Sequence, residues 1–268
     1  MWGTNFVFYK ILVENVSFWL LLFFRNFFAT LAIFWFVRKS FKRTPHQLKT
    51  WMFVVLASFS GIFINNVFFQ TGIEQTTATN AALIMALTPL TTAIMSYIAF
   101  REPLHWKRVI GIFLGFFGVV LVILRGSIAT LLELSINPGD LYVVGNLLLF
   151  SLSFMFIKKA VDRDFSPELI TMYGHGMSLL FIFPFLFWEQ WNLGFGTIPT
   201  DALHWILLIY IGIFPAAIGN MLWNKGIALL GPNQAAIFMN GTPLVTAITS
   251  YVVLSETLVW PQLIGFLF

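Results

Sequence analysis

The chain has 268 residues, of which 59% are hydrophobic and only 10% charged, and its mean hydropathy is +0.86. So few charges cannot cover the surface of a soluble domain of this length, which leaves lipid as the solvent for most of the chain. The formal net charge of +4 does not indicate a nucleic-acid partner, because the basic residues sit in short loops between apolar runs, where membrane orientation needs them.

Cysteine is absent, which excludes disulfides, thiolate metal sites and cysteine catalysis. Met1-Trp2-Gly3-Thr4-Asn5 lacks the basic n-region and small-residue cleavage site of a signal peptide. Backbone groups in hydrocarbon find no water, so only helices or a closed barrel can span. The apolar runs are continuous rather than alternating, which selects helices.

In chain order, a short first span covers about 1–10, followed by spans at about 16–37, 51–73, 79–100 and 106–124. A sixth span follows Gly139 and runs to about 157; others cover about 167–188, 203–224 and 233–254, and a tenth begins near Val259. With the N-terminus inside, the inner loops hold twelve basic residues, from Arg38 to Lys225, and the outer loops only Lys10 and Arg125. That is the positive-inside bias of a plasma-membrane protein with both termini cytoplasmic, and Trp188, Trp191, Trp205 and Trp260 fall at span ends as interfacial anchors.

The chain repeats itself. Gly72 to Leu114 aligns without a gap with Gly226 to Phe268, at an offset of 154, with 18 identities in 43 pairs. Thr88-Pro89-Leu90 matches Thr242-Pro243-Leu244, Glu102 matches Glu256, and upstream Asn66 matches Asn220. Five spans per unit is an odd number, so the second unit must be inverted relative to the first, the arrangement of alternating-access transporters. The fold expected is an all-α membrane protein of ten transmembrane helices in two inverted five-helix repeats. The boundaries are 1–124 for the first repeat, 125–138 for an outside linker and 139–268 for the second. The alignment of Phe6 and Lys10 with Phe154 and Lys158 leaves the first and last helices truncated, by about eleven residues each.

Trp2-Gly3-Thr4-Asn5-Phe6, Ser17 followed by Arg25, and the duplicated Ala81-Ala82…Pro89…Glu102-Pro103-Leu104…Gly111 pattern resemble the EamA-type family of the drug/metabolite transporter superfamily. The resemblance covers essentially the whole chain. It implies ten helices, a central cavity between the repeats, and export or exchange of amino acids, metabolites or drugs.

Candidate binding residues follow from the spans. Arg25, near the middle of span two, costs roughly 2.5–3.5 kcal/mol to insert, and its readings are a contact for an anionic group or a structural hydrogen bond. Met85, Thr88, Thr92 and Ser96 share one helix face, repeated by Met239, Thr242, Thr246 and Ser250. Pro89 and Pro243 each remove a helical hydrogen bond at mid-span, and interrupted helices at corresponding positions mark a binding site; close helix packing by small residues is the competing reading. Asn66, Asn220 and Asn240 are amides able to orient a zwitterion or to bond a neighbouring helix. Trp223, with Phe154, Phe69 and Trp2, is a candidate aromatic wall. His175, between Gly174 and Gly176, is the histidine inside a span and the candidate for proton coupling, against a packing role. Glu102 and Glu256 read as helix caps.

No Asp or Glu falls at mid-span, and no P-loop pattern appears, so carboxylate relays and ATP hydrolysis are unsupported. No cofactor or metal is expected. The expected activity is secondary transport of small neutral or zwitterionic metabolites, amino acids or drug-like compounds, by alternating access. The alternatives are a nucleotide-sugar or phosphate-ester exchanger, which demands more basic residues, and a membrane-embedded enzyme or a non-transporting scaffold. The expected partners are a small-molecule substrate and the lipid bilayer; a monomer is compatible with the pattern, which sets no oligomeric state.

Overall fold

The computed structural model describes residues 1–38, 47–76, 81, 84–101, 106–123, 137–193, 198–199 and 201–254. The expected tenth span and most of the linker lie outside them, as do Ala82, Glu102 and Glu256. Every regular element among the described residues is helical. They begin with α1 (Trp2–Val13) and α2 (Phe18–Val37). Span three is built from α3 (Leu48–Ser58), a π-helical turn (Phe59–Phe63) and α4 (Ile64–Gln75). After it come α5 (Thr88–Phe100), α6 (Trp106–Ile123), α7 (Pro138–Val161) and α8 (Pro167–Leu193). Span eight repeats span three, with α9 (Ala202–Ile211), a π-helical stretch (Gly212–Gly219) and α10 (Asn220–Leu230). The chain then runs through α11 (Pro232–Ile237), a 3-10 turn (Phe238–Gly241) and α12 (Thr242–Leu254).

Six helical stretches among the described residues are long and apolar enough to cross a membrane: Phe18–Val37, Leu48–Gly72, Pro138–Val161, Pro167–Asn192, Ala202–Leu230 and Pro232–Val253. Large apolar side chains such as Trp35, Phe36, Leu180, Phe183 and Leu229 face outward, as a lipid-facing surface requires.

The elements start and stop for local reasons. Asp140 closes the α7 N-terminus, its Oδ2 accepting the Asn137 N–H at 2.8 Å, and Pro138 fills a first-turn position that needs no N–H. Gly231, at φ +80°, ends α10 in a conformation that strains other residues, and Pro232 opens α11.

Both π segments have identifiable causes. Pro215 has no N–H to continue the ladder, and Ser60 Oγ bonds back to Leu56 O at 2.6 Å. Shifted by 154 residues, Phe59–Phe63 falls at 213–217, inside the second π segment.

The Thr–Pro helices are interrupted one step before the position expected from proline alone. Ala86 and Leu87 form a turn ahead of α5, so Pro89 sits in a first helical turn; Phe238–Gly241 does the same ahead of α12. The break's free carbonyls are satisfied locally, Ile84 O by the Leu87 N–H at 3.1 Å and Met85 O by Thr88 Oγ1.

Small residues set the helix crossings. A Cβ on Gly3 would lie 2.7 Å from Thr246 N, where α1 crosses α12, and one on Gly61 would lie 2.6 Å from Ser153 Cβ, where the first π turn meets α7. The main apolar core draws Ala29 and Ile33 of α2, Val54 of α3, Phe154 of α7, Leu169 of α8 and Ala216 of the second π segment into one cluster. Both copies of the sequence repeat therefore share a core.

Candidate functional site

A narrow cleft opens between α3 with its π turn, α7, α8 and α10. Aliphatic and aromatic side chains form most of its wall, notably Val54, Ile62, Phe150, Phe154, Ile170 and Trp223. Its polar members are Ser58, Ser153, Thr171, Asn220 and Asn224, and Gly61 and Gly174 leave room by lacking side chains. No charged residue is part of the wall.

The aromatic wall is a packed group. Trp223 lies 5.2 Å from Phe154 and 5.0 Å from Trp2 between ring centroids, and Phe150 lies 4.7 Å from Phe154. Trp2 ties this group to the second π segment, its Nε1 donating to Pro215 O at 3.0 Å. Phe69 is not among the residues lining the cleft.

Behind Asn220 the polar groups continue. His175, buried, has Nδ1 at 2.7 Å from Asn26 Oδ1 and Nε2 at 3.0 Å from Ala216 O and 3.1 Å from Asn220 Nδ2. The Asn26 amide is oriented by its own Nδ2, which donates to Leu22 O at 2.7 Å, so Oδ1 faces the ring and Nδ1 carries a proton. Nε2 then has two choices. Unprotonated, it accepts from Asn220; protonated, it donates to Ala216 O. That carbonyl has spare capacity because the Asn220 N–H goes to Ala217 O within the π stretch.

Arg25 is the counterpart in the first half. Its Nη1 donates to Asn66 Oδ1 at 3.2 Å, while its Nε is buried with no partner. The Asn66 amide nitrogen bonds back to Ile62 O, and one turn further along α4 Gln70 accepts from Tyr9 Oη at 2.8 Å. Asn66 and Asn220 are related by the sequence repeat, so each half pairs a basic side chain of its second span with the equivalent amide of its third.

The Thr–Pro helices occupy another place. Thr88, Pro89, Thr92 and Ser96 are buried, and Thr92 and Thr91 meet Ser151 of α7 at 3.3 and 2.9 Å. Met85, Met239, Thr242 and Asn240 are half-buried. The Asn240 amide presses on Gly115, and Thr246 Oγ1 reaches Gly3 O at 3.3 Å. None of these residues lines the cleft; Pro243 lies in α12 with its side chain outside the described residues. Of the residues singled out from the sequence, Asn220, Trp223 and Phe154 line it, and His175, Arg25 and Asn66 stand in the polar chain behind it.

Asn26, Thr171, Ser58 and Phe150 were not foreseen. Asn26 carried a signal, a second polar residue beside Arg25 in an otherwise apolar helix. Thr171 lies one turn from His175 on the same face of α8, and its Oγ1 accepts from Asn224 Nδ2 at 2.9 Å.

A shared core, interrupted apolar helices and an uncharged aromatic cleft define a multi-pass membrane protein of the solute-transporter class. The chain belongs to the EamA-like transporter family, whose profile matches residues 1–124 and again 137–268. It is 31% identical over 225 residues to "Uncharacterized transporter YyaM" of Bacillus subtilis (strain 168), covering 84% of this chain and 72% of that protein. It is 26% identical over 269 residues to "Uncharacterized transporter YetK" of the same organism, covering 98% of this chain and 79% of that one. A shorter likeness, 34% identical over 92 residues, covers 34% of this chain and 28% of an "S-adenosylmethionine/S-adenosylhomocysteine transporter" of Chlamydia muridarum (strain MoPn / Nigg). A solved structure described only as "Crystal structure of protein" superposes with a TM-score of 0.80 at 16% identity, covering 99% of this chain and 88% of that one, which shows the common fold.

Proposed function

We propose that the chain is a secondary transporter of small neutral or zwitterionic metabolites, with the cleft as its substrate vestibule. The observation that carries this reading is that the cleft has one wall from span three, in the first copy of the repeat, and the others from spans six, seven and eight in the second. Movement of one copy against the other opens or closes such a cleft, which is the geometry of alternating access. Ten helices in two inverted repeats, bounded at 1–124 and 139–268 by a linker, and a plasma-membrane location with both termini cytoplasmic complete the proposal. In that orientation the cleft lies towards the inner side, where Ile157 and Asn224 neighbour the basic residues Lys158 and Lys225.

A phosphate-ester exchanger fits less well, because a polyanion needs cations and the wall supplies none. The adenine ring of S-adenosylmethionine, which the Chlamydia relative's name gives, suits the aromatic wall, though its charged amino-acid end does not.

Flux in proteoliposomes tests the reading, with a labelled panel of neutral, aromatic and acidic amino acids, an uncharged aromatic compound and a lipophilic cation. Saturable flux of a neutral or zwitterionic member, lost in Asn220→Leu, is expected. No saturable flux of any member by protein that circular dichroism shows to be helical would overturn it.

A further inference from the structure

Each polar side chain of the cleft already donates a hydrogen bond within the protein. Ser58 Oγ donates to Gly174 O at 2.6 Å, Ser153 Oγ to Phe150 O at 2.6 Å, and Thr171 Oγ1 to Pro167 O at 2.7 Å. The amide nitrogens of Asn220 and Asn224 already reach His175 and Thr171. One donor stands apart: Trp223 Nε1 is buried, sits in a ring that lines the cleft and has no acceptor. Trp2, in the same aromatic group, shows the ordinary outcome, its indole N–H taken by a backbone carbonyl.

A buried N–H left unmade is costly, and an unpaired donor at a binding wall is a place kept for a ligand atom. The rest of the wall decides what bears that atom. With no charge in the wall, a carboxylate or ammonium group would enter desolvated and unpaired. Phe150, Phe154 and Trp223 offer ring faces and edges to a flat apolar body.

We infer that the cleft takes an uncharged, flat molecule carrying a carbonyl or similar acceptor oxygen, and that Trp223 selects it by donating its indole N–H to that oxygen. The inference rests on the transporter reading and narrows it from neutral or zwitterionic solutes to neutral ones. Trp223 acts as a specificity-determining donor as well as a wall.

The chain's lack of cysteine provides the assay. Ile62→Cys places a thiol on the cleft wall supplied by span three, and a membrane-impermeant methanethiosulfonate reports its accessibility in inside-out vesicles. Three probes compete with labelling: acetophenone, which has a carbonyl oxygen; α-methylstyrene, its isostere without one; and benzoate, which is charged.

Acetophenone is expected to protect at a concentration at least about fivefold below that of α-methylstyrene, the ratio one hydrogen bond supplies, and benzoate is expected to protect poorly. Trp223→Phe, which keeps a ring and removes the N–H, brings acetophenone to the level of its isostere. Replacing Trp223 by β-(3-benzothienyl)alanine, which keeps the indole's shape, does the same and separates the N–H from any packing change.

Unchanged protection by acetophenone in both variants overturns the inference, as do equal protection by α-methylstyrene, preferential protection by benzoate, or no protection by any probe. Flux that persists through any of these results leaves the transporter reading standing and removes only the role of Trp223. Absence of flux removes the reading itself.

Discussion

Arg25 and His175 each lie in the second span of their half beside the repeat-related amides Asn66 and Asn220, and they are held differently. Arg25 reaches Asn66 by one bond and keeps an unpartnered Nε, whereas His175 reaches across the halves to Asn26 and within its own to Ala216 O and Asn220. One repeat thus carries a fixed charge that is poorly tied down. The other carries a ring held by three neutral polar groups. The cleft lies on the side of the ring. Duplication kept the scaffold, meaning the π turn and the amide one turn beyond it, and let the chemistry of the partner diverge.

Breaking the better-tied site should have the largest effect. His175→Leu leaves Asn26 Oδ1 and Ala216 O facing an apolar side chain, and should lower stability by about 1–3 kcal/mol, read as a drop in Tm in detergent. His175→Gln, which can still donate, should recover most of it. Arg25→Met should change stability by less than about 1 kcal/mol, because it removes a half-bonded buried charge together with its desolvation cost. Equal losses in His175→Leu and Arg25→Met would erase the contrast between the halves.

A pH gradient sharpens the same comparison. Coupling through His175, with protonation of Nε2 exchanging Asn220 for Ala216 O, requires wild-type flux to respond to a gradient of one unit. His175→Gln should be insensitive to the gradient, and Arg25→Lys should respond like the wild type. Insensitive wild-type flux would mark a facilitator with His175 in a packing role.

The smallest effect is expected at the Thr–Pro helix. Thr92→Val removes a 3.3 Å contact with Ser151, which Thr91 also bonds, and should cost no more than about 0.6 kcal/mol with flux unchanged. A loss of flux comparable to that in Asn220→Leu would place the translocation path along α5.

Much of the architecture was legible in one dimension. Long apolar runs and the scarcity of charge establish a helical membrane protein, since unpaired backbone in lipid forbids the alternatives. The repeat located the two Thr–Pro interruptions but not the π segments, because proline and its flanking threonine act on the backbone within one turn. Arg25, His175, Asn66 and Asn220 announced themselves as polar groups in apolar helices.

What they touch did not follow from the sequence. Faces turned to lipid and faces turned to protein are equally apolar, so hydropathy does not say which side of a helix meets a neighbour. The pairing of His175 with Asn26, 149 positions away, and the gathering of Phe150, Phe154 and Trp223 around one cleft depend on how α2, α7, α8 and α10 cross. Those crossings are set by close approaches such as Gly61 on Ser153, which act over distances in space that the order of residues does not encode locally. Sequence alone determined the membrane class and the breaks at the two Thr–Pro pairs; tertiary packing decided which of the polar groups form a site.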